Sequence, residues 1–168
     1  IATPHGFHHE HALLCLNHKK AVLCEKAFAL NERQAREMVQ AASRNNVFLM
    51  EAFWTKFIPQ YTKVTEMIQS GEIGEIQMIE ADFGFRAAKP TPQRLYDPVL
   101  GGGALLDIGI YPVFLAASLL GRPLETKAVM THYPSGVDEQ IAMTLKFEHG
   151  AVAILSASFS ADTPVEAT

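Results

Sequence analysis

Apolar residues recur with two different spacings along the chain, and the change of spacing divides it near residue 55. In the first part, short apolar runs are separated by stretches of helical period. Residues 1–3 read as the end of a buried strand, closed by Pro4 and Gly6. A helix is predicted over 8–18, with Ala12, Leu13 and Leu16 inward. AVLC, 21–24, is a continuous apolar run of the kind found in a parallel strand covered on both faces. Asn31 is expected to cap the next helix, with Gln34 completing a capping-box pattern. The apolar positions of that helix, Ala35, Met38, Val39 and Ala42, follow the 3.6 period. VFLM, 47–50, predicts another buried strand. This order of strand, helix, strand, helix, strand is that of βαβ units on a parallel sheet.

After residue 55 the pattern loosens. A helix is predicted over 60–70, with Val64, Met67 and Ile68 inward and Gly71 as its stop. EIQMIEADFGFR, 75–86, alternates and places Ile79, Ala81, Phe83 and Phe85 on one face. Residues 87–100, with Pro90, Pro92 and Pro98, predict a loop. A helical segment follows over 103–120, then strands near 125–131, 139–147 and 151–159. In the middle strand Ile141, Met143, Leu145 and Phe147 share one face, which must bury against the helices. Gln140, Thr144 and Lys146 share the other. EHG, 148–150, reads as a hairpin turn. One-sided alternation predicts an antiparallel or mixed sheet. The expected class is α/β: half of a doubly wound domain over 1–53, then an incomplete α+β domain over 54–168.

Composition narrows the function classes. The net charge is −4 and no basic block exists, which argues against a nucleic-acid partner. No run of about 18 apolar residues is present, which argues against a membrane span. Cys15 and Cys24 each sit in an apolar run and read as reduced thiols of a cytoplasmic protein. The opening IATPHG and the closing SADTPVEAT suggest an internal piece of a longer chain.

Open α/β sheets bind ligands beyond the carboxyl ends of their strands. Two such ends are ATPHGFH, 2–8, and CEKAFAL, 24–30. Glu25 and Lys26 there are either a solvated loop pair or part of a site. Trp54, the only tryptophan, is either a packing residue or a wall for a flat ring. Gly101, Gly102 and Gly103 follow a proline-rich loop. They lack both the G-x-G-x-x-G fingerprint and a following Lys-Ser/Thr, so they read as a close backbone approach rather than a phosphate loop. Asp107 and Tyr111 lie one helical turn apart, beside a kink expected at Pro112, with Leu106, Ile110 and Phe114 on the core side. Both are poor packing choices in an apolar helix, which favours a functional reading. His5, His8, His9 and His11 are not joined by a Cys or carboxylate cluster of ligand spacing, so no metal is assigned.

Together, ATPHGFHHEHALLCL, VLCEKAFAL and GGGALLDIGIYPV resemble the Gfo/Idh/MocA-type NAD(P)-dependent oxidoreductases over nearly the whole chain. FLMEAFWTKF and the Tyr of DIGIY are similar to the branch that acts on trans-dihydrodiols and D-xylose. The resemblance implies a Rossmann cofactor domain, then an α/β domain with an open-faced sheet that serves as a homodimer interface. It implies NADP as cofactor, with NAD the alternative, and a hydride transfer at a carbinol of a cyclic diol or aldose. The E-K-P motif maps to Glu25, Lys26 and Ala27, so its proline is replaced. The D-x-G-x-H motif maps to Asp107, Gly109 and Tyr111, with Tyr as the acid/base. Thr3, Pro4 and His8 fall on the cofactor side with Glu25 and Lys26, and Trp54, Phe83 and Phe85 fall on the substrate wall. The family's glycine fingerprint and the later strands of its second domain are not in this chain, so the piece alone is expected to be inactive.

The resemblance also implies the order of events. Tyr111 would take the carbinol proton, Lys26 would favour its anionic form as a nearby cation, and Asp107 would hold the substrate hydroxyl or orient Lys26. The rival reading is a non-catalytic dinucleotide sensor or interaction protein on the same fold.

Overall fold

The computed structural model describes residues 1–88 and 93–168. Two of the loop prolines, Pro90 and Pro92, lie outside the described residues. The first part is a small α/β layer. α1 (His8–Asn17) leads to β1 (Val22–Glu25), α2 (Glu32–Asn45) and β2 (Leu49–Ala52). β1 and β2 pair in parallel, Val22 opposite Leu49 and Glu25 opposite Ala52. Residues 1–3 are not a regular strand. They still flank β1, because the Ile1 amino group donates to Leu23 O at 2.6 Å and Glu25 N–H donates to Ile1 O at 2.9 Å.

α2 forms where the sequence signals it. Asn31 Oδ1 accepts from Gln34 N–H at 3.0 Å. Gln34 Oε1 accepts in turn from Leu30 N–H at 3.0 Å, one residue before the position a capping box would use. Asn46, at φ +51°, ends the helix in the left-handed region. Glu32–Arg36 and Arg33–Glu37 brace its outer surface at i,i+4 spacing.

The core of this layer joins Ala12 and Leu16 of α1 to Met38, Ala41 and Ala42 of α2 over Val22 and Cys24. Only one face of β1 is covered, since Leu23 is 54% exposed, and every residue of β2 is half-buried. AVLC and VFLM are therefore not strands buried on both sides. Both described helices pack on the Val22–Cys24 face, and Phe48 is exposed on entry to β2. Val39 is also exposed, and Ala41 takes its place in the apolar stripe.

The second part packs helices against one mixed sheet. Its elements are α3 (Pro59–Gln69), β3 (Met78–Gly84), a short α4 (Gln93–Tyr96), α5 (Ile110–Leu120), β4 (Glu125–His132), β5 (Asp138–Lys146) and β6 (Val152–Ser158). The strand order is β3-β6-β5-β4, with β3 and β6 parallel and the other pairs antiparallel. As the alternation requires, Ile141, Met143, Leu145 and Phe147 are buried, while Ala142, Thr144 and Lys146 are exposed. They pack with Ile79, Ala81, Ala153, Leu155, Ala157 and the helical residues Ala104, Ile108 and Ala116. β4 is exposed along its whole length.

α3 is held less firmly, with no fully buried residue and with Val64 exposed. Pro59 opens it, and Gly71 at φ +75° closes it, as expected of a glycine stop. The loop expected over 87–100 contains α4, whose Leu95 and Tyr96 are buried.

Before α5, residues Leu105–Gly109 form a π-helical turn. Pro112 has no N–H for the Ile108 carbonyl, and the helix widens in the turn before it. The extra residue in that turn rotates the helix face. Ile108 and Ala116 therefore meet the core, and Phe114 turns away to stack on Phe53 at 4.2 Å between ring centres.

The glycine run joins the two parts. Gly6 N–H donates to Leu100 O at 3.1 Å. A Cβ on Gly101 would fall 2.7 Å from the His5 Cβ and 2.9 Å from Gly6 N, and Gly101 has φ +74°. The run is thus the close approach that its sequence suggests. Gly101→Ala is expected to destabilise the protein by at least about 2 kcal/mol, combining left-handed backbone strain and overpacking. A urea titration reads this, and an unchanged midpoint would show that the two segments separate freely.

Candidate active site

A cavity of about 350 Å³ opens where the carboxyl end of β1 faces the π turn. Ala2, Thr3, Pro4, His5, Glu25 and Lys26 line it from the first part, and Arg94, Leu100, Gly101 and Asp107 line it from the second. Its size is that of a small-ligand site.

Lys26 is the central cation. Its Nζ donates to the Asp107 main-chain O at 2.5 Å and to Asp107 Oδ1 at 3.2 Å. The two side chains are only 17% and 9% exposed. Lys26 keeps this position although Ala27 replaces the motif proline, and the Lys26–Ala27 peptide is cis. Asp107 Oδ1 also accepts from Arg94 Nη1 at 3.1 Å. Burial alone would raise the Asp107 carboxyl. Lys26, and then Arg94, outweigh it and hold the carboxyl below the usual aspartate range.

The stability that this ionised carboxyl adds is full above the ordinary aspartate range. It is lost as pH falls through the lowered folded-state value. Arg94→Met is expected to move that loss to higher pH, read from urea midpoints across roughly pH 2–5. Superimposable midpoint curves would show that Arg94 does not act on the carboxylate.

Tyr111 stands one turn beyond Asp107. Lys26 Nζ lies 5.2 Å from its ring centre, and Trp54 Nε1 donates to its hydroxyl oxygen at 3.2 Å. Phe53, Phe83 and Trp54 surround the ring at 5.4, 5.6 and 6.2 Å between centres. Lys26, Asp107, Tyr111, Trp54 and Phe83 are therefore brought together. Phe85 is not. It packs on Phe159 at 5.5 Å, two strand positions beyond Phe83 on the same face.

Thr3, Pro4 and Glu25 line the cavity, but His8 does not. The His8 ring is fully buried, with Nδ1 at 2.8 Å from Ala27 O and Nε2 at 2.8 Å from Thr3 O. It braces the two loops that form the cavity floor. The other early histidines disperse: His9 bonds Glu37, and His11 lies against Thr3 Oγ1. Among the described residues, no group of three or more His, Cys, Asp or Glu is placed to hold a metal.

Sequence reasoning missed Arg94, Phe53 and His5. Arg94 lies in a segment read as loop, and the structure places it in α4 beside the buried Leu95 and Tyr96.

The profile of the GFO/IDH/MocA C-terminal domain matches residues 61–167. That of the oxidoreductase family with an NAD-binding Rossmann fold matches residues 1–53. The chain belongs to the Gfo/Idh/MocA family. Relatives in this family include the trans-1,2-dihydrobenzene-1,2-diol dehydrogenase of Danio rerio, 38% identical over 99% of this chain and 50% of that protein. The D-xylose 1-dehydrogenase (NADP(+)) of Hypocrea jecorina is 37% identical over 99% of this chain and 47% of that protein.

Among solved structures, the aldose-aldose oxidoreductase of Caulobacter crescentus, complexed with glycerol, aligns with a TM-score of 0.88. It is 28% identical over 95% of this chain and 50% of that one. KijD10, a 3-ketoreductase of Actinomadura kijaniata in complex with NADP and TDP-benzene, aligns at 0.87. It is 32% identical over 97% of this chain and 51% of that one. The chain thus spans about half the length of the Gfo/Idh/MocA relatives it matches.

Proposed function

We propose that the full-length protein is a dehydrogenase that transfers a hydride between NADP and a carbinol of a cyclic diol or aldose. The observation that carries this reading is that Lys26 and Asp107 meet at a cavity between the two parts of the chain, with the Tyr111 ring centre 5.2 Å from Lys26 Nζ. The relatives named for dihydrodiols and D-xylose support the substrate class, and those named for NADP support the cofactor.

The donor set at the end of β1 fits the nicotinamide end of such a cofactor. Main chain at Thr3 and Pro4 comes close to the cavity, Lys26 supplies a cation, and Glu25 supplies an acceptor. When bound, the cofactor accepts or returns the hydride. Tyr111 takes the carbinol proton at its hydroxyl oxygen, which Trp54 steadies by donation from Nε1. Lys26, 5.2 Å from the ring centre, stabilises the tyrosinate that accepts this proton and is neutralised by it. Asp107 holds Lys26 in place and stays ionised between it and Arg94. Phe53, Trp54 and Phe83 pack around the Tyr111 ring, and the exposed Trp54 offers a wall for a ring.

The bare face of the mixed sheet, with Thr144 and Lys146, is assigned to a homodimer contact. The free thiols Cys15 and Cys24 fit a cytoplasmic protein. Residues 1–53 and 54–168 are taken as the two domain portions. No helix among the described residues is long and apolar enough to cross a membrane.

The test follows NAD(P)H absorbance in full-length protein offered trans-cyclohexane-1,2-diol and D-xylose with either cofactor. The expected result is oxidation of a diol or pentose with NADP preferred. Cofactor binding without any turnover would favour the sensor reading.

A further inference from the structure

His5 has no role in the reaction described above. It opens the turn after Pro4 and lines the cavity with Lys26, Arg94 and Asp107. Its Nδ1 lies 3.0 Å from the Gly101 main-chain oxygen. A carbonyl oxygen only accepts, so the proton sits on Nδ1. Burial holds the imidazole below the ordinary histidine range and outweighs Gly101 and Asp107, which pull the other way. The ring is therefore neutral at pH 7, and a neutral ring protonated on Nδ1 carries a bare lone pair on Nε2.

Nε2 has no hydrogen-bond partner among the described residues, and it is not one of their sealed, unpartnered polar atoms. His8 differs, with both ring nitrogens engaged by carbonyls. Among the charged side chains of the cavity, Lys26 and Arg94 only donate, and Glu25 and Asp107 accept as carboxylates, with Asp107 Oδ1 already shared by Lys26 and Arg94. Nε2 is thus an uncharged acceptor, unpartnered among the described residues, on His5, a residue of the cavity wall.

We propose that Nε2 of His5 accepts a hydrogen bond from a hydroxyl group of the bound ligand, either a ribose hydroxyl of the dinucleotide or a hydroxyl of the substrate. This rests on the dehydrogenase reading. The contact orients the ligand in the cavity without adding charge beside Lys26.

The variant that isolates Nε2 is His5→Asn in the full-length protein. The Asn amide nitrogen can take the place of Nδ1 and still donate to Gly101, but no atom replaces Nε2. Two constants are measured: Kd for NADPH by fluorescence titration, and KM for the preferred diol or pentose at saturating NADP. The loss of one neutral hydrogen bond is expected to weaken binding about threefold to tenfold.

A rise confined to the NADPH constant assigns the bond to ribose. A rise confined to KM assigns it to the substrate. Equal change in both constants, or change in neither, overturns the proposal. Wild-type protein that binds NADPH and oxidises neither substrate class would overturn the reaction reading instead, while the NADPH constant would still report on His5.

Discussion

Tyr111→Phe in the full-length protein is expected to lower kcat by roughly 10²–10⁴-fold, the range for losing a positioned acid/base. The substitution removes one oxygen and leaves the ring. Phe53, Trp54 and Phe83 surround that ring and would hold a phenyl group in the same place. The lysine cation over the ring face would also remain. Binding of substrate and cofactor should therefore change little, and the loss should fall on kcat rather than KM. Steady-state kinetics with the preferred diol or pentose decide this. Turnover near wild type would remove Tyr111 from proton transfer and leave it a packing residue.

Lys26→Met should be more general in its effects. Lys26 bridges the end of β1 and the π turn through two bonds to one residue. Methionine keeps much of the chain length and loses the charge. Asp107 would then face Arg94 alone, whose side chain is 59% exposed and less effective as a partner. We expect kcat/KM to fall roughly 10²–10³-fold, combining weaker charge stabilisation with a displaced carboxylate, and the NADPH Kd to rise about tenfold. Lys26→Arg should restore little, because the longer, planar guanidinium does not fit the buried place of the compact ammonium between Asp107 and the Tyr111 ring. Unchanged NADPH affinity and rate in Lys26→Met would place the lysine outside the site.

Much of the architecture was legible because each part obeys one period. Met38, Ala42 and Leu16 follow helical spacing into the first core, and Ile141 to Phe147 follow strand spacing into the second. The second face of β1 is not buried, and β2 is only half-buried. A continuous apolar run shows that a residue is apolar, not that something covers it, and Leu23 and Phe48 are exposed.

The π turn explains another error. A pattern read at 3.6 residues per turn puts Leu106, Ile110 and Phe114 on the core side. One wide turn moves that duty to Ile108 and Ala116. Lys26, Asp107 and Tyr111 could be read because their residue types are costly in apolar settings and stand in family motifs. Arg94 and His5 could not. Each owes its place to a contact outside its own segment, Arg94 with Asp107 within the second part and His5 with Gly101 between the two parts.

The segment from Val99 to Gly103 has a further consequence. It touches the turn at His5 and Gly6 at one end and leads into the Asp107 turn at the other. The aperture of the cavity is therefore set by the length of one short piece of covalent chain. Insertions that many surface loops absorb without harm would here slide one wall of the pocket past the other. New substrate preferences are more readily reached by exchanging side chains on these walls than by altering the length of this connection.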